Sequence, residues 1–250
     1  MRLDVYLADK GFFGSRTKSA EAVSRGEVSV NGKVVTKASF DVSDGDDVSI
    51  SDSACKYVSV GAYKLEKAFK DFPSFSIKNA VVCDIGASAG GFTEVCLLHG
   101  AKKVFAVDVG ENLLDESLKK RKEVVVIDKT NARFLNGETL GEKVDRVVSD
   151  VSFISLTLIL PSVFSILKDG GEAVLLIKPQ FECGKKALNK NGIVTEKKAR
   201  DAAIETVTAC ARENGLIPSG ITSAPEIPGK NIEYLLYLKK ACVFALNDRV

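Results

Sequence analysis

Short apolar runs alternate with stretches of helical spacing over most of the chain. Residues 80–83, 103–107, 124–127, 144–149 and 173–177 have the length and β-branched content of buried strands. Helical patterns lie between them, and a long one covers residues 197–214. Two further strand-like runs follow near 217–222 and 232–238. Ahead of the series, Leu65, Ala68, Phe69 and Phe72 share one face of a helix that starts at Ala62. The run "ISLTLILPSVFSIL" contains Pro161 and is too short to span a bilayer, so it predicts a buried helix. Alternation of this kind predicts an α/β fold, Rossmann-like, with a seven-stranded mostly parallel sheet. Ligands of such sheets bind at the carboxyl ends of the strands.

The first fifty residues follow a different pattern. Leu3 and Leu7 lie four apart, and Gly11 is placed to stop that helix. Ser15 is an N-cap for "RTKSAEAVSRG", which ends at Gly26. Asn31-Gly32 then sits between two β-rich runs, a hairpin signal, and "DVSDGDDVSI" adds a turn and a strand. Two short helices and a small sheet are expected over residues 1–52. The polar stretch at 53–60 reads as a linker to a domain at 61–250.

Charge and composition narrow the classes. The net charge of +2 excludes a bulk polycation, so any nucleic-acid contact must come from local basic groups. Lys18 and Arg25 are seven apart on one helix face, Arg16 lies in that helix's first turn, and Lys33 and Lys37 follow on the hairpin. A solvated helix face is the competing reading of these charges. The six cysteines form no C-x-x-C pair and read as reduced thiols, and His99 is the sole histidine, which removes histidine triads and most metal chemistry. No secretion signal follows Met1, so the expected location is cytoplasmic, with no membrane span and no metal.

The glycine-rich stretch "DIGASAGGF" follows the first strand of the large domain. Its G-x-S-x-G-G order departs from the dinucleotide fingerprint, and there is no Walker lysine. Asp84 just before the turn would repel a pyrophosphate but attract an amino-acid ammonium. An acid followed by a turn of small residues suits S-adenosylmethionine. The cofactor set is Asp84, Gly86, Ser88, Gly90, Gly91, Phe92, Asp108 and Asp128. Asp108 ends the second strand, where an acid bonds ribose hydroxyls, and Asp128 is placed to meet the adenine edge or to serve as a plain loop acid. Tight helix–strand packing is the competing reading of the glycines.

Two more strand ends carry unusual residues. "RVVSD" ends at Asp150, and "AVLLIKPQ" places Lys178 directly after an unbroken apolar run, where an unpaired charge is costly. Glu233 lies near the start of the last strand. If that strand runs antiparallel, Asp150, Lys178 and Glu233 converge, since neighbouring strands are about 5 Å apart. A structural ion-pair cluster is the alternative.

Two resemblances add to this reading. "SRTKSAEAVSRGEVSVNGKVV" resembles the S4 RNA-binding domain, which implies a small α+β module docking on structured RNA, here through Arg16, Lys18, Arg25 and Lys33. "YKLEKAF", "DIGASAGGFTEVCLLHGAKKVFAVDVG", "SDVSFISL", "LIKPQFE" and "GKNIEYLLYL" resemble the TlyA (hemolysin A) family, with an S4 domain joined to an FtsJ-like class I methyltransferase domain. That resemblance implies S-adenosylmethionine-dependent 2′-O-methylation of ribose, at cytidine, in ribosomal RNA or a ribosomal subunit. It also implies a Lys-Asp-Lys-Glu tetrad on Lys64, Asp150, Lys178 and Glu233, of which Lys64 rests on the resemblance alone. The chain has "SVGAYKL" where the family commonly has "SRGGYKL", so Val60 and Ala62 depart from it.

In such a reaction the protein must orient a ribose hydroxyl and assist loss of its proton. Lys178 is the candidate base, provided that desolvation and Lys64 depress its pKa. A non-catalytic RNA-binding or ribosome-associated protein and a hemolysin-like membrane-active protein are the alternatives.

Overall fold

The computed structural model describes residues 1–13, 15–51, 57–227 and 229–241. The 53–56 part of the expected linker, and residues 242–250, lie outside the described residues. The chain divides into two compact units, Met1–Ser59 and Val60–Val250.

In the first unit, helices α1 (Leu3–Asp9) and α2 (Arg16–Ser24) precede strands β1 (Val28–Val30), β2 (Lys33–Val34) and β3 (Val48–Ile50). Ser15 caps α2 by accepting from the Lys18 amide at 3.2 Å, which satisfies one of the helix's free donors. Asn31 and Gly32 both take positive φ, as a tight hairpin between β1 and β2 requires. The three strands are antiparallel in the order β2-β1-β3. Leu3, Leu7, Ala22, Val23 and Val28 close a small core between the helices and the sheet.

The second unit opens with α3 (Gly61–Asp71). Next come β4 (Val81–Ile85), α4 (Gly91–Leu98), β5 (Lys103–Val107), α5 (Glu116–Lys119), β6 (Val124–Ile127), α6 (Gly137–Leu140) and β7 (Val144–Ser149). The chain continues through α7 (Leu160–Ile166), β8 (Leu167–Ile177), α8 (Pro179–Glu182), α9 (Lys197–Glu213), β9 (Leu216–Ser223) and β10 (Tyr234–Lys240). The sheet has seven strands in the order β6-β5-β4-β7-β8-β10-β9. Strands β4 to β8 pair in parallel, whereas β10 runs antiparallel to both of its neighbours. The path turns back between β4 and β7, so a crevice opens there beyond the carboxyl ends of the strands. β4 is buried along its whole length, as a central parallel strand should be.

Three boundaries differ from the expected ones. The helix expected over "ISLTLILPSVFSIL" is only the seven residues of α7, with a 3₁₀ turn at Leu156–Leu158 before it. Pro161 has no amide proton and fits only a helix's first turn, so it fixes where α7 begins. Strand β8 starts at Leu167 rather than at 173. It pairs Leu167 with Val144, then shifts register and pairs Glu172 with Arg146. The polar "KDGG" between those pairs hides this early start from a reading based on apolar runs. The last strand begins at Tyr234, which leaves Glu233 just ahead of it.

A buried polar cluster ties β7, β8 and β10 together. Glu172 is 8% exposed. It accepts a bond from the Tyr237 hydroxyl at 2.6 Å and pairs with Arg146 at 3.2 Å. Replacing Tyr237 with Phe leaves one oxygen of a buried carboxylate short of its donor, and should cost about 1–3 kcal/mol. Urea unfolding of the full chain measures this; an unchanged midpoint would show that the bond contributes nothing.

Candidate active site

Asp150 follows β7 directly, Lys178 follows β8, and Glu233 immediately precedes β10. The antiparallel register pairs Tyr234 with Ile177, so Glu233 and Lys178 lie at the same edge of the sheet. Helix α3 supplies Lys64, whose Nζ pairs with Asp150 Oδ2 at 3.0 Å and with Glu233 Oε2 at 2.8 Å. Lys178 Nζ pairs with the other oxygen of Asp150 at 2.6 Å and donates to Ser152 Oγ at 2.7 Å. Gln180 Nε2 donates to Glu233 Oε1 at 3.4 Å. The structure therefore brings all four of Lys64, Asp150, Lys178 and Glu233 together, with Asp150 between the two lysines. Ser152 and Gln180 join them, and the sequence carried no signal for either beyond adjacency to a tetrad residue.

Electrostatics follow from this geometry. Burial opposes the charge on Asp150, yet the ammonium groups of Lys64 and Lys178 outweigh it and hold its pKa below the ordinary carboxylate value. Burial likewise opposes the charge on Lys64, but Asp150 and Glu233 prevail and its pKa is raised. Lys64 is held as a cation that neutralises two carboxylates, and both lysines share Asp150.

Beside this cluster lies a cleft of about 600 Å³, lined in part by Gly86, Ser88, Asp108, Asn131, Asp150 and Phe153. Gly86 has φ +83°, and a Cβ there would stand 3.1 Å from the Asp150 carbonyl oxygen and 3.1 Å from Val151 Cγ1. A side chain at this position would therefore meet backbone that cannot easily move. Asp108 accepts from the amides of Ser88 at 2.9 Å and Gly110 at 2.8 Å, which locks the glycine turn against the end of β5. Asp84, Gly90, Gly91, Phe92 and Asp128 do not line the cleft. Gly90 caps α4 at φ +100°, packed so closely that a Cβ would strike the side chains of Leu118 and Leu114. Asp128 Oδ2 accepts from the Asn112 amide at 3.0 Å and so braces the loop after β5. Thr130 and Asn131, two and three residues further on, face the cleft in its place.

Asp84 is fully buried at the base of the turn. Its Oδ2 accepts from Thr93 Oγ1 at 2.6 Å, while Oδ1 is buried with no hydrogen-bond partner. Its pKa is pushed up from 3.8 to about 7, chiefly by burial, against the bond from Thr93 and with the help of Asp150 and Asp108.

In the first unit the expected basic contacts are only partly available. Arg16 pairs with the buried Asp4 at 2.9 Å. Arg25 donates to both oxygens of Glu27, and its side chain is only 17% exposed. Lys33 is exposed on the hairpin and Lys18 half-buried on α2. Among the described residues no helix is long and apolar enough to cross a membrane, and no group of His, Cys, Asp or Glu side chains is arranged to hold a metal ion.

Residues 57–240 match the FtsJ-like methyltransferase family, and residues 1–48 match the S4 domain. The chain belongs to the FtsJ-like methyltransferase family. Two relatives agree with this assignment. Hemolysin A of Brachyspira hyodysenteriae is 40% identical over 95% of this chain and 99% of its own length. The 16S/23S rRNA (cytidine-2′-O)-methyltransferase TlyA of Mycobacterium tuberculosis is 39% identical over 99% of this chain and 93% of its own. A solved structure of a hemolysin-named protein from Streptococcus thermophilus superposes with a TM-score of 0.76 at 39% identity, covering 96% of this chain and 88% of that one. The FtsJ-like unit thus joins the Rossmann-like sheet of class I methyltransferases to an S4 domain.

The buried Asp84 sets a pH signature for the folded FtsJ-like unit. Its folded pKa lies above its unfolded one, so its contribution to stability is complete below about 3.8 and lost as pH rises through about 7. The variant Asp84→Asn should therefore lose less stability than the native chain across that interval. Denaturant unfolding at stepped pH, without added ligand, measures the difference; parallel profiles would contradict the assignment.

Proposed function

We propose that this chain methylates the ribose 2′-hydroxyl of a cytidine in ribosomal RNA, with S-adenosylmethionine as donor. The observation that carries the reading is the meeting of Lys64, Asp150, Lys178 and Glu233 beside the glycine cleft, in an FtsJ-like chain that also has an S4 domain. Relatives aligned over 99% and 96% of this chain bear the name rRNA (cytidine-2′-O)-methyltransferase.

The residues fit the donor. A cleft of this size suits a nucleoside-sized ligand. Asp84 supports the turn from beneath, bonded to Thr93, and Asp108 at the end of β5 lines the cleft where an acid meets ribose hydroxyls. The absence of a side chain at Gly86 lets a ligand approach the backbone closely. When bound, S-adenosylmethionine supplies an electrophilic methyl group on its sulfonium.

The chain's own share is to hold the ribose hydroxyl and move its proton. Lys178 is 7% exposed and bonds Asp150 and Ser152, both of which line the cleft, so its Nζ is the group that orients the hydroxyl and, in its neutral form, accepts the proton. Asp150 and Ser152 fix the direction of that amine. Lys64 neutralises Asp150 and Glu233, so the two carboxylates stand together without mutual repulsion. The S4 unit supplies RNA affinity through phosphate neutralisation and shape. Of the expected contacts, the exposed Lys33 is better placed for this than Arg25, which is committed to Glu27.

A Lys178→Ala variant should lose methyl transfer to ribosomal RNA by at least about 100-fold, the usual scale of a general base. It should bind S-adenosylmethionine almost as well as the native chain. Transfer of labelled methyl, with calorimetric titration of the donor, measures both. An unchanged rate would remove Lys178 from the role.

A further inference from the structure

The segment between α8 and α9 has not entered the reaction so far. Residues 183–195 contain Lys185, Lys186 and Lys190 and no carboxylate. All three lysines are exposed, and no ion pair involves them among the described residues. The preceding acid, Glu182, is turned away: it accepts from Ser155 Oγ at 2.5 Å and from the Leu156 amide at 2.8 Å.

This segment is pinned to the part of the chain that carries Glu233. Asn231 Oδ1 accepts from the Val194 amide at 2.8 Å, and its Nδ2 donates to the Gly192 carbonyl at 3.0 Å. Arg200 adds bonds to the carbonyls of Val194 and Thr195 at 3.1 and 2.8 Å, and to the Tyr234 hydroxyl at 3.2 Å. The Asn189 side chain accepts from the amides of Asn191 and Ile193, which closes the turn on itself. Asn231 and Tyr234 flank Glu233, so the turn is fastened on both sides of that carboxylate. The exposed Lys230 adjoins Asn231 and is brought next to the same turn. A solvated lysine run has no need of such anchoring.

We propose that Lys185, Lys186, Lys190 and Lys230 form a second RNA-phosphate contact surface, on the catalytic unit itself, held in register with Glu233 by Asn231. The surface rests on the reading of this chain as an RNA methyltransferase. It takes the phosphates flanking the target nucleotide, while Asn231 acts as a positioning residue. Binding through it is ionic, so each lysine engaging a phosphate contributes about 0.7–0.9 to the salt dependence of affinity.

The test is a full-length variant with Lys185, Lys186, Lys190 and Lys230 each replaced by Gln, compared with the native chain. RNA affinity is measured over a range of salt concentrations on a ribosomal RNA fragment that the native chain methylates. Affinity should fall roughly tenfold or more, and the salt slope by about 3, with S-adenosylmethionine binding and thermal unfolding unchanged. In parallel, Asn231→Ala should lower the single-turnover rate at saturating RNA and leave the salt slope alone. Unchanged RNA affinity and slope in the lysine variant would overturn the proposal, and is also the outcome if the patch serves an acidic protein partner. A native chain that transfers no methyl to any ribosomal RNA would instead overturn the reading on which the surface rests.

Discussion

The site depends on one carboxylate shared by two ammonium groups. Asp150 meets Lys178 through one oxygen and Lys64 through the other, and it ties α3 to the ends of β7 and β8. Burying an isolated charge at this depth is prohibitive, and removing one member of a buried pair typically costs about 3–5 kcal/mol because its partner is left uncompensated. The four groups balance in sign, two cations against two anions, so none can be lost without leaving a charge exposed to low-dielectric surroundings. The same balance fixes Lys178 against Asp150 and Ser152, which line the cleft.

The sheet supplies the geometry that makes this sharing possible. Reversal of strand order between β4 and β7 opens the crevice. The glycine turn after β4 presses against Asp150 and Val151, so the donor cleft and the charged cluster share a wall. The antiparallel β10 places Glu233 at the strand-end edge; a parallel strand in its place would carry that residue to the opposite edge. Asp84, fully buried and bonded to Thr93, supports the same turn from beneath.

Much of this was legible in the sequence, for identifiable reasons. The five parallel strands announced themselves because strands covered on both faces are continuous apolar runs. Asp150 and Lys178 stood out because charges at the ends of such runs are costly without a purpose. Lys64 could not be found this way: it lies on an amphipathic helix where a lysine every few residues is ordinary, and only the fold reveals which one turns inward. Asp128 admitted two readings in the sequence, since a strand-end acid can brace a loop as readily as touch a ligand, and the structure shows it bonded to the Asn112 amide. Arg16 and Arg25 looked like free cations until Asp4 and Glu27, partners that charge counting cannot assign, were seen beside them. Ser152, Gln180 and Asn231 act through one or two hydrogen bonds each, which leave no periodic trace.

The sharing of Asp150 is tested most directly by mapping 2′-O-methylated positions in ribosomal RNA. The comparison is between cells that carry the native chain and cells that carry Asp150→Asn at equal abundance. The native chain should leave a methylated cytidine that is missing when Asp150 is replaced, because Lys178 then loses its charged partner and Lys64 keeps only Glu233. An identical methylation map in the two would contradict the central role of this carboxylate.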